Sequence, residues 1–282
     1  MPPGEPIPIT VAHSPDSDDA FMHFAIAERR VDPGPYRFEH VLADIESLNR
    51  AAREGRHEVT ALSIHAYAYL HDRYALLNHG ASMGEGYGPV VVAREPGGVE
   101  LLAGRTIAIP GEWTSAALAL RLRLPEARTV ALPFDRIIDA VLEGEVGAGV
   151  IIHEGQLTYR DAGLHAVIDL GVWWAEVTAG LPLPLGGNAI RRDLGAETIR
   201  GVSRILRESI SYALEHRDEA LAHAESFGRG LDRERCDRFV GMYVNRRTLD
   251  YGEDGREAVR CFLRRGHEAG LIPSTPEPEF VP

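Results

Sequence analysis

Gly144-Glu-Val-Gly-Ala-Gly-Val-Ile-Ile-His153-Glu154 is the stretch that decides the fold. It reads as a turn, a short apolar strand, and a histidine where the strand ends. Val150-Ile151-Ile152 shows no alternation of apolar and polar residues, the pattern of a strand buried on both faces. Strands of this kind belong to α/β sheets covered by helices. In such open sheets ligands sit beyond the carboxyl ends of the strands. His153 therefore falls at the mouth of an expected cleft, with an ordinary pKa near neutrality. Two readings stand on this segment alone: a half-buried structural histidine, or a group that moves protons.

Outward from this strand, the N-terminal half alternates strand and helix signals. Strands are expected at 9–13, 36–42, 58–62, 75–77 and 88–93, with helices at 20–29 and 45–54. Asp44 is placed to cap the second helix, whose Ile45, Leu48 and Ala52 share one face. Further strands are expected at 106–110, 129–132 and 165–170, with helices at 116–122 and 134–142. This alternation implies βαβ units and a mainly parallel sheet. Leu181-Pro-Leu-Pro-Leu-Gly-Gly187 breaks the pattern and suits an extended crossing between domains. Beyond it only helices are expected, at 197–214, 218–227, 233–244 and 257–269. The resulting division is a larger α/β domain from 1–93 and 186–282, with the last helices packing back on its sheet, and a smaller one from 94–185. A cleft between them should close on its ligand, hinged near Val91 and Pro184.

Composition narrows the chemistry. The 282 residues suffice for one large domain or two ordinary ones, and the net charge of −12 argues against nucleic acid or an anionic membrane as partner. No apolar run is long enough to span a bilayer. The start, Met1-Pro-Pro-Gly-Glu-Pro6, has neither a basic region nor an apolar one, so a cytoplasmic location is expected. All 30 basic residues are arginine. Without lysine there is no Schiff base and no phosphate-loop lysine. The histidines show no zinc-site pairs, Cys236 and Cys261 lack metal or redox spacing, and a dinucleotide fingerprint is missing.

Four segments carry polar groups to expected strand ends. Gly111-Glu-Trp-Thr114-Ser115-Ala116 puts free N–H groups and two hydroxyls at a helix start, either an anion site or ordinary capping. Ser63-Ile-His65-Ala-Tyr67 offers a strand-end hydroxyl, a ligand donor or a cap. Gly84-Glu-Gly-Tyr-Gly88-Pro89 permits close backbone approach to a ligand, or is a plain turn. Ser14-Pro-Asp16-Ser-Asp18-Asp19 gathers three carboxylates without a calcium-loop pattern, and Asp18 is expected to cap the helix that follows.

Taken in order, these segments resemble the type II periplasmic-binding-protein fold. More specifically, they resemble the 1,4-dihydroxy-6-naphthoate synthase (MqnD) family of the futalosine route to menaquinone. Asp44-Ile-Glu-Ser-Leu-Asn49, Gly86-Tyr-Gly-Pro-Val-Val-Val-Ala93, Gly149-Val-Ile-Ile-His-Glu154, Leu181-Pro-Leu-Pro-Leu-Gly186 and Tyr243-Val-Asn245 carry the likeness along nearly the whole chain. The resemblance implies a cofactor-free carbon–carbon lyase acting on a small carboxylate, cyclic dehypoxanthinyl futalosine, and releasing 1,4-dihydroxy-6-naphthoate. It implies His153 as base or nucleophile, with base the expected role, and Ser63, Thr114, Ser115 and Ala116 as ligand contacts. Ser14, Asp16 and Gly88 are expected to border the substrate. The family's Ser-Pro-Cys-Pro-Asn-Asp-Thr-Phe motif is Ser14-Pro-Asp-Ser-Asp-Asp-Ala-Phe21 here. Chorismate dehydratase of the same pathway and a non-catalytic solute-binding protein share the fold and are the alternatives.

Overall fold

The computed structural model describes residues 5–282. Residues 1–4, part of the segment read as lacking a secretory signal, lie outside the described residues. The chain runs through β1 (Ile7–His13), α1 (Ser17–Ala27), β2 (Tyr36–Leu42), α2 (Ile45–Arg53), β3 (Val59–Ser63), α3 (Ile64–Leu70), β4 (Tyr74–Leu77) and β5 (Ser82–Gly84). It continues with β6 (Val90–Ala93), β7 (Thr106–Ile109), α4 (Ser115–Arg123), β8 (Arg128–Ala131), α5 (Ile137–Glu143), β9 (Ala148–Ile151), α6 (Gly155–Thr158), β10 (His165–Asp169) and α7 (Leu170–Val177). Then come β11 (Leu183–Arg191), α8 (Ala196–Glu215), α9 (Arg217–Glu225), α10 (Arg233–Tyr243), α11 (Arg246–Leu249), α12 (Gly252–Glu268) and β12 (Phe280–Val281).

Two sheets result. The first has the order β12-β4-β11-β3-β1-β2, with β5 also on β11; the second runs β10-β6-β9-β7-β8. Each contains the same arrangement. In the first, β1 lies parallel to both β2 and β3, and in the second β7 lies parallel to both β8 and β9. The chain thus steps to one side of a central strand and then to the other. The crevice at that switch is where carboxyl-end loops diverge and a ligand fits. The loops after β1 and β3 carry Ser14 and Asp16 and the strand-end Ser63. Those after β7 and β9 carry Thr114 to Ala116 and His153.

Local chemistry explains the main elements. β9 is buried along its whole length, as its unbroken apolar run requires. Asp44 caps α2 by accepting from Ser47 N at 3.0 Å. Gly144 ends α5 in the left-handed region at φ 80, which lets the chain turn directly into β9. Helix α8 lays Val202, Ile205 and Leu206 on Ile9, Val11 and Val59 of the first sheet.

Several expectations are corrected. The sheets are mixed rather than mainly parallel, because β11 runs antiparallel to β3 and β4, and β6 antiparallel to β9 and β10. Leu181 to Gly187 is no free crossing: most of it belongs to β11, which continues to Arg191 at the heart of the first sheet. Helix α7 and strands β5 and β12 were not expected. Strand β6 belongs to the second sheet although the division at 93/94 assigns it to the first, and β11 begins in the first sheet ahead of residue 186. The chain therefore crosses between sheets at 85–89 and again between β10 and β11, while Val91 and Pro184 lie inside strands. Helix α1 starts at Ser17, not residue 20, and its N-cap is Asp16; Asp18 sits inside the first turn and caps nothing.

Candidate active site

Between the sheets lies a cleft of about 750 Å³, its open mouth included. Ser14, Asp16, Ser63, Thr114, Ser115, Ala116 and His153 all line it, so the expected residues converge from 140 positions of sequence. Gly88 does not. A Cβ there would stand 2.9 Å from the Gly171 nitrogen, so its close backbone approach is to the start of α7 and not to a ligand. Leu62, Met22, Phe239 and Leu185 supply an apolar wall, and Asn188 and Gln156 further polar groups.

His153 is held in a left-handed backbone conformation at φ 53, uncommon for a residue with a side chain. Its Nδ1 lies 2.7 Å from Asp16 Oδ2, the ring being 17% exposed and the carboxylate 1%. With Nδ1 facing the carboxylate, Nδ1 carries a proton and Nε2 is the atom left to exchange one. Nε2 has no hydrogen-bond partner. Burial alone would lower the pKa of His153. The Asp16 carboxylate, helped by Glu154 and Asp18, reverses this and pushes it up to about 9. Burial pushes the Asp16 carboxyl the other way, but His153 and Arg229 prevail and hold it below its usual range.

Arg229 is a residue that sequence reasoning missed. It lies between α9 and α10, pairs with Asp16 at 2.5 Å and with Glu154 at 3.2 Å, and stacks 4.5 Å from the Phe134 ring centre. Phe134 in turn meets the His153 ring edge-on at 4.9 Å. Glu154 is buried and faces Ser17 N and Oγ at 3.4 Å. Asp16 is thus engaged by two cations. Nothing local to Arg229 marked it, because its partners are 75 and more residues away.

The hydroxyls differ in what they leave free. Ser63 Oγ accepts from Asn49 Nδ2 at 3.0 Å, and Ser63 N donates to Asn49 Oδ1 at 2.9 Å. Its own O–H is left to donate into the cleft. Ser115 Oγ instead donates to Leu185 O at 2.5 Å and accepts from His65 N at 3.2 Å. Thr114 Oγ1 donates to Gly111 O at 2.8 Å and accepts from Ala117 N at 3.2 Å, capping α4. Both of the expected hydroxyl donors are therefore spent on the protein. The N–H groups of Ser115 and Ala116, in the first turn of α4, have no partner among the described residues. They present the positive end of the helix to the cleft, suited to a carboxylate or a developing oxyanion.

Two sheets, each opening its switch point onto a shared cleft, define the class: an α/β protein of the periplasmic-binding-protein-like fold. The alkanesulfonate-binding protein SsuA of Xanthomonas axonopodis superposes with a TM-score of 0.71 at 13% identity, over 96% of both chains, a likeness of fold alone. A crystal structure of a protein from Archaeoglobus fulgidus superposes with a TM-score of 0.90 at 50% identity, over 94% of this chain and 98% of that one. Residues 9–268 match the family model described as menaquinone biosynthesis. The chain is 43% identical to the 1,4-dihydroxy-6-naphthoate synthase of Thermus thermophilus, over 97% of this chain and 99% of that one. It is 36% identical to the enzyme of the same name from Streptomyces coelicolor, over 94% and 95%. The chain belongs to this family of menaquinone-biosynthesis enzymes.

Proposed function

We propose that this protein is a carbon–carbon lyase that converts cyclic dehypoxanthinyl futalosine to 1,4-dihydroxy-6-naphthoate, with His153 as the base. The observation that carries the reading is the His153–Asp16 pair, whose unpartnered Nε2 shares one cleft with the free donors of Ser63, Ser115 and Ala116. The α4 N-terminus holds the substrate carboxylate, and Ser63 donates to an oxygen on which charge develops. His153 Nε2 then takes the proton that starts elimination. Asp16 keeps the ring oriented and stabilises the imidazolium as it forms. Aromatisation drives the fragmentation, so the protein supplies position and proton transfer.

A base with a pKa of about 9 is mostly protonated at neutrality, so turnover should climb as the pH rises toward that value. The decisive experiment incubates the purified protein with cyclic dehypoxanthinyl futalosine and follows release of the naphthoate chromophore. His153→Ala should lose about 10²- to 10⁴-fold in kcat with affinity nearly unchanged. Near-normal turnover in that variant rejects His153 as base. Conversion of chorismate instead would point to the dehydratase, and binding without conversion to a solute-binding protein.

A further inference from the structure

The acidic loop holds more carboxyl groups than its cations can balance. Asp16, Asp18, Asp19 and Glu154 lie together, with His153 and Arg229 as the cations. Asp16 engages both, and Glu154 shares Arg229. Asp19 accepts Ser14 N at 2.7 Å. Asp18 is left with no ion pair among the described residues. It is 8% exposed, its Oδ1 has no hydrogen-bond partner, and it lines the cleft. An ionised carboxylate in that position would be desolvated, unpaired and crowded by like charge, and would repel an anionic ligand. A protonated one has an O–H to give.

We propose that Asp18 stands in the cleft as a neutral carboxyl and donates a hydrogen bond to an anionic oxygen of the bound aromatic acid, keeping its proton throughout. The inference deepens the proposed function and rests on it for the identity of the ligand. The groups facing Asp18 are Asp16 and Asp19 from its own segment, His153 and Glu154 from the loop after β9, and Tyr243 from α10. Burial, reinforced by Asp19 and Asp16, raises its pKa well above the carboxylate range, in keeping with a retained proton.

Two measurements test this. Infrared difference spectra near pH 7 compare the ligand-free wild type with Asp18→Asn, and with Asp19→Asn as control. Burial also pushes Asp19 up to about 7, so both carboxyls contribute to the protonated-carboxyl band. The band should weaken in Asp18→Asn, and the Asp18 part should persist in Asp19→Asn; a wild type whose band Asp18→Asn leaves undiminished overturns the proposal. Anaerobic titration with 1,4-dihydroxy-6-naphthoate then measures the donor. Asp18→Asn, neutral and still a donor, should bind within about 3-fold of wild type. Asp18→Ala should bind roughly 10- to 100-fold more weakly, the span of a lost hydrogen bond to a charged acceptor. Wild-type affinity in Asp18→Ala overturns the donation. Should Asp18→Ala fail to fold, the asparagine variant and the infrared comparison still decide. A wild type that binds no naphthoate sinks the functional reading instead, and the infrared comparison alone then upholds or overturns the neutral Asp18.

Discussion

His153 sits in a backbone conformation that costs a side-chain-bearing residue free energy, and it sits there beside a buried carboxylate. The left-handed turn is what brings Nδ1 onto Asp16, and the pair sets the proton affinity of the ring. Removing the negative charge while keeping the shape should therefore move that affinity in a known direction. In Asp16→Asn the imidazolium loses its main support, and the pKa falls from about 9 toward the ordinary 6.5. If His153 is the base, the rising limb of kcat/KM moves to lower pH by about 1 to 2 units. A pH–rate profile with an unmoved limb would show that another group titrates there. The same scale explains why the sequence leaves Thr114 and Ser115 open between ligand donor and cap: residue type announces a donor, but only the neighbours show whether its proton is already given away.

Two strands of the first sheet and the helix between them meet in a nest of histidines. His13 at the end of β1, His23 on α1 and His40 on β2 stand with ring centres 4.5 to 5.9 Å apart. His13 Nε2 lies 3.0 Å from His40 Nδ1, and neither nitrogen of His23 has a partner. Burial, then the neighbouring rings, hold His13 down to about 4 and His23 well below its usual value; burial and His223 lower His40. Their folded pKa values lie below the unfolded one, so this nest is stable above pH 6.5. As the pH falls from there, the unfolded chain takes up protons that the folded one refuses, and stability drops. His13 alone accounts for about 3 kcal/mol once pH 4 is reached. Urea melts across this range should show the loss, and His23→Leu should flatten it. An equal slope in that variant would place the acid sensitivity elsewhere.

Across the whole molecule, Arg229 ties the two sheets together at the cleft. It lies between α9 and α10, which pack on α1, holds Asp16 at the α1 start, and reaches Glu154 and Phe134 beside the second sheet. Arg229→Ala leaves Glu154 buried without its cation and removes the packing on Phe134. We expect a loss of roughly 1–3 kcal/mol, reduced from that of a fully buried pair because His153 still holds Asp16. The cleft should also open about the crossings at 85–89 and between β10 and β11. Small-angle scattering should give the variant a larger radius than wild type without ligand, and saturating substrate should compact the wild type. Identical radii in all three samples would rule out this closure.

Much of this was readable in the chain. The apolar run of β9, the Asp44 cap and the strand–helix alternation depend on neighbours a few residues apart, and these locate the fold class and most cleft residues. His153 and Ser63 were findable because a buried strand must end in a loop at the sheet's carboxyl edge. Other features depend on partners far along the chain. Strand β11 reads as a Pro- and Gly-rich linker until β3 and β4 flank it, and Gly88 reads as a ligand loop until Gly171 is placed against it. Asp18 reads as a cap until the cations are seen to be taken by Asp16 and Glu154. Sequence by itself determined most of the strands, helices and strand-end loops, because periodicity and turn chemistry are short-range. Only the tertiary structure decided which polar groups stay free to act, because hydrogen bonds and charges are allotted between residues that the chain brings together from afar.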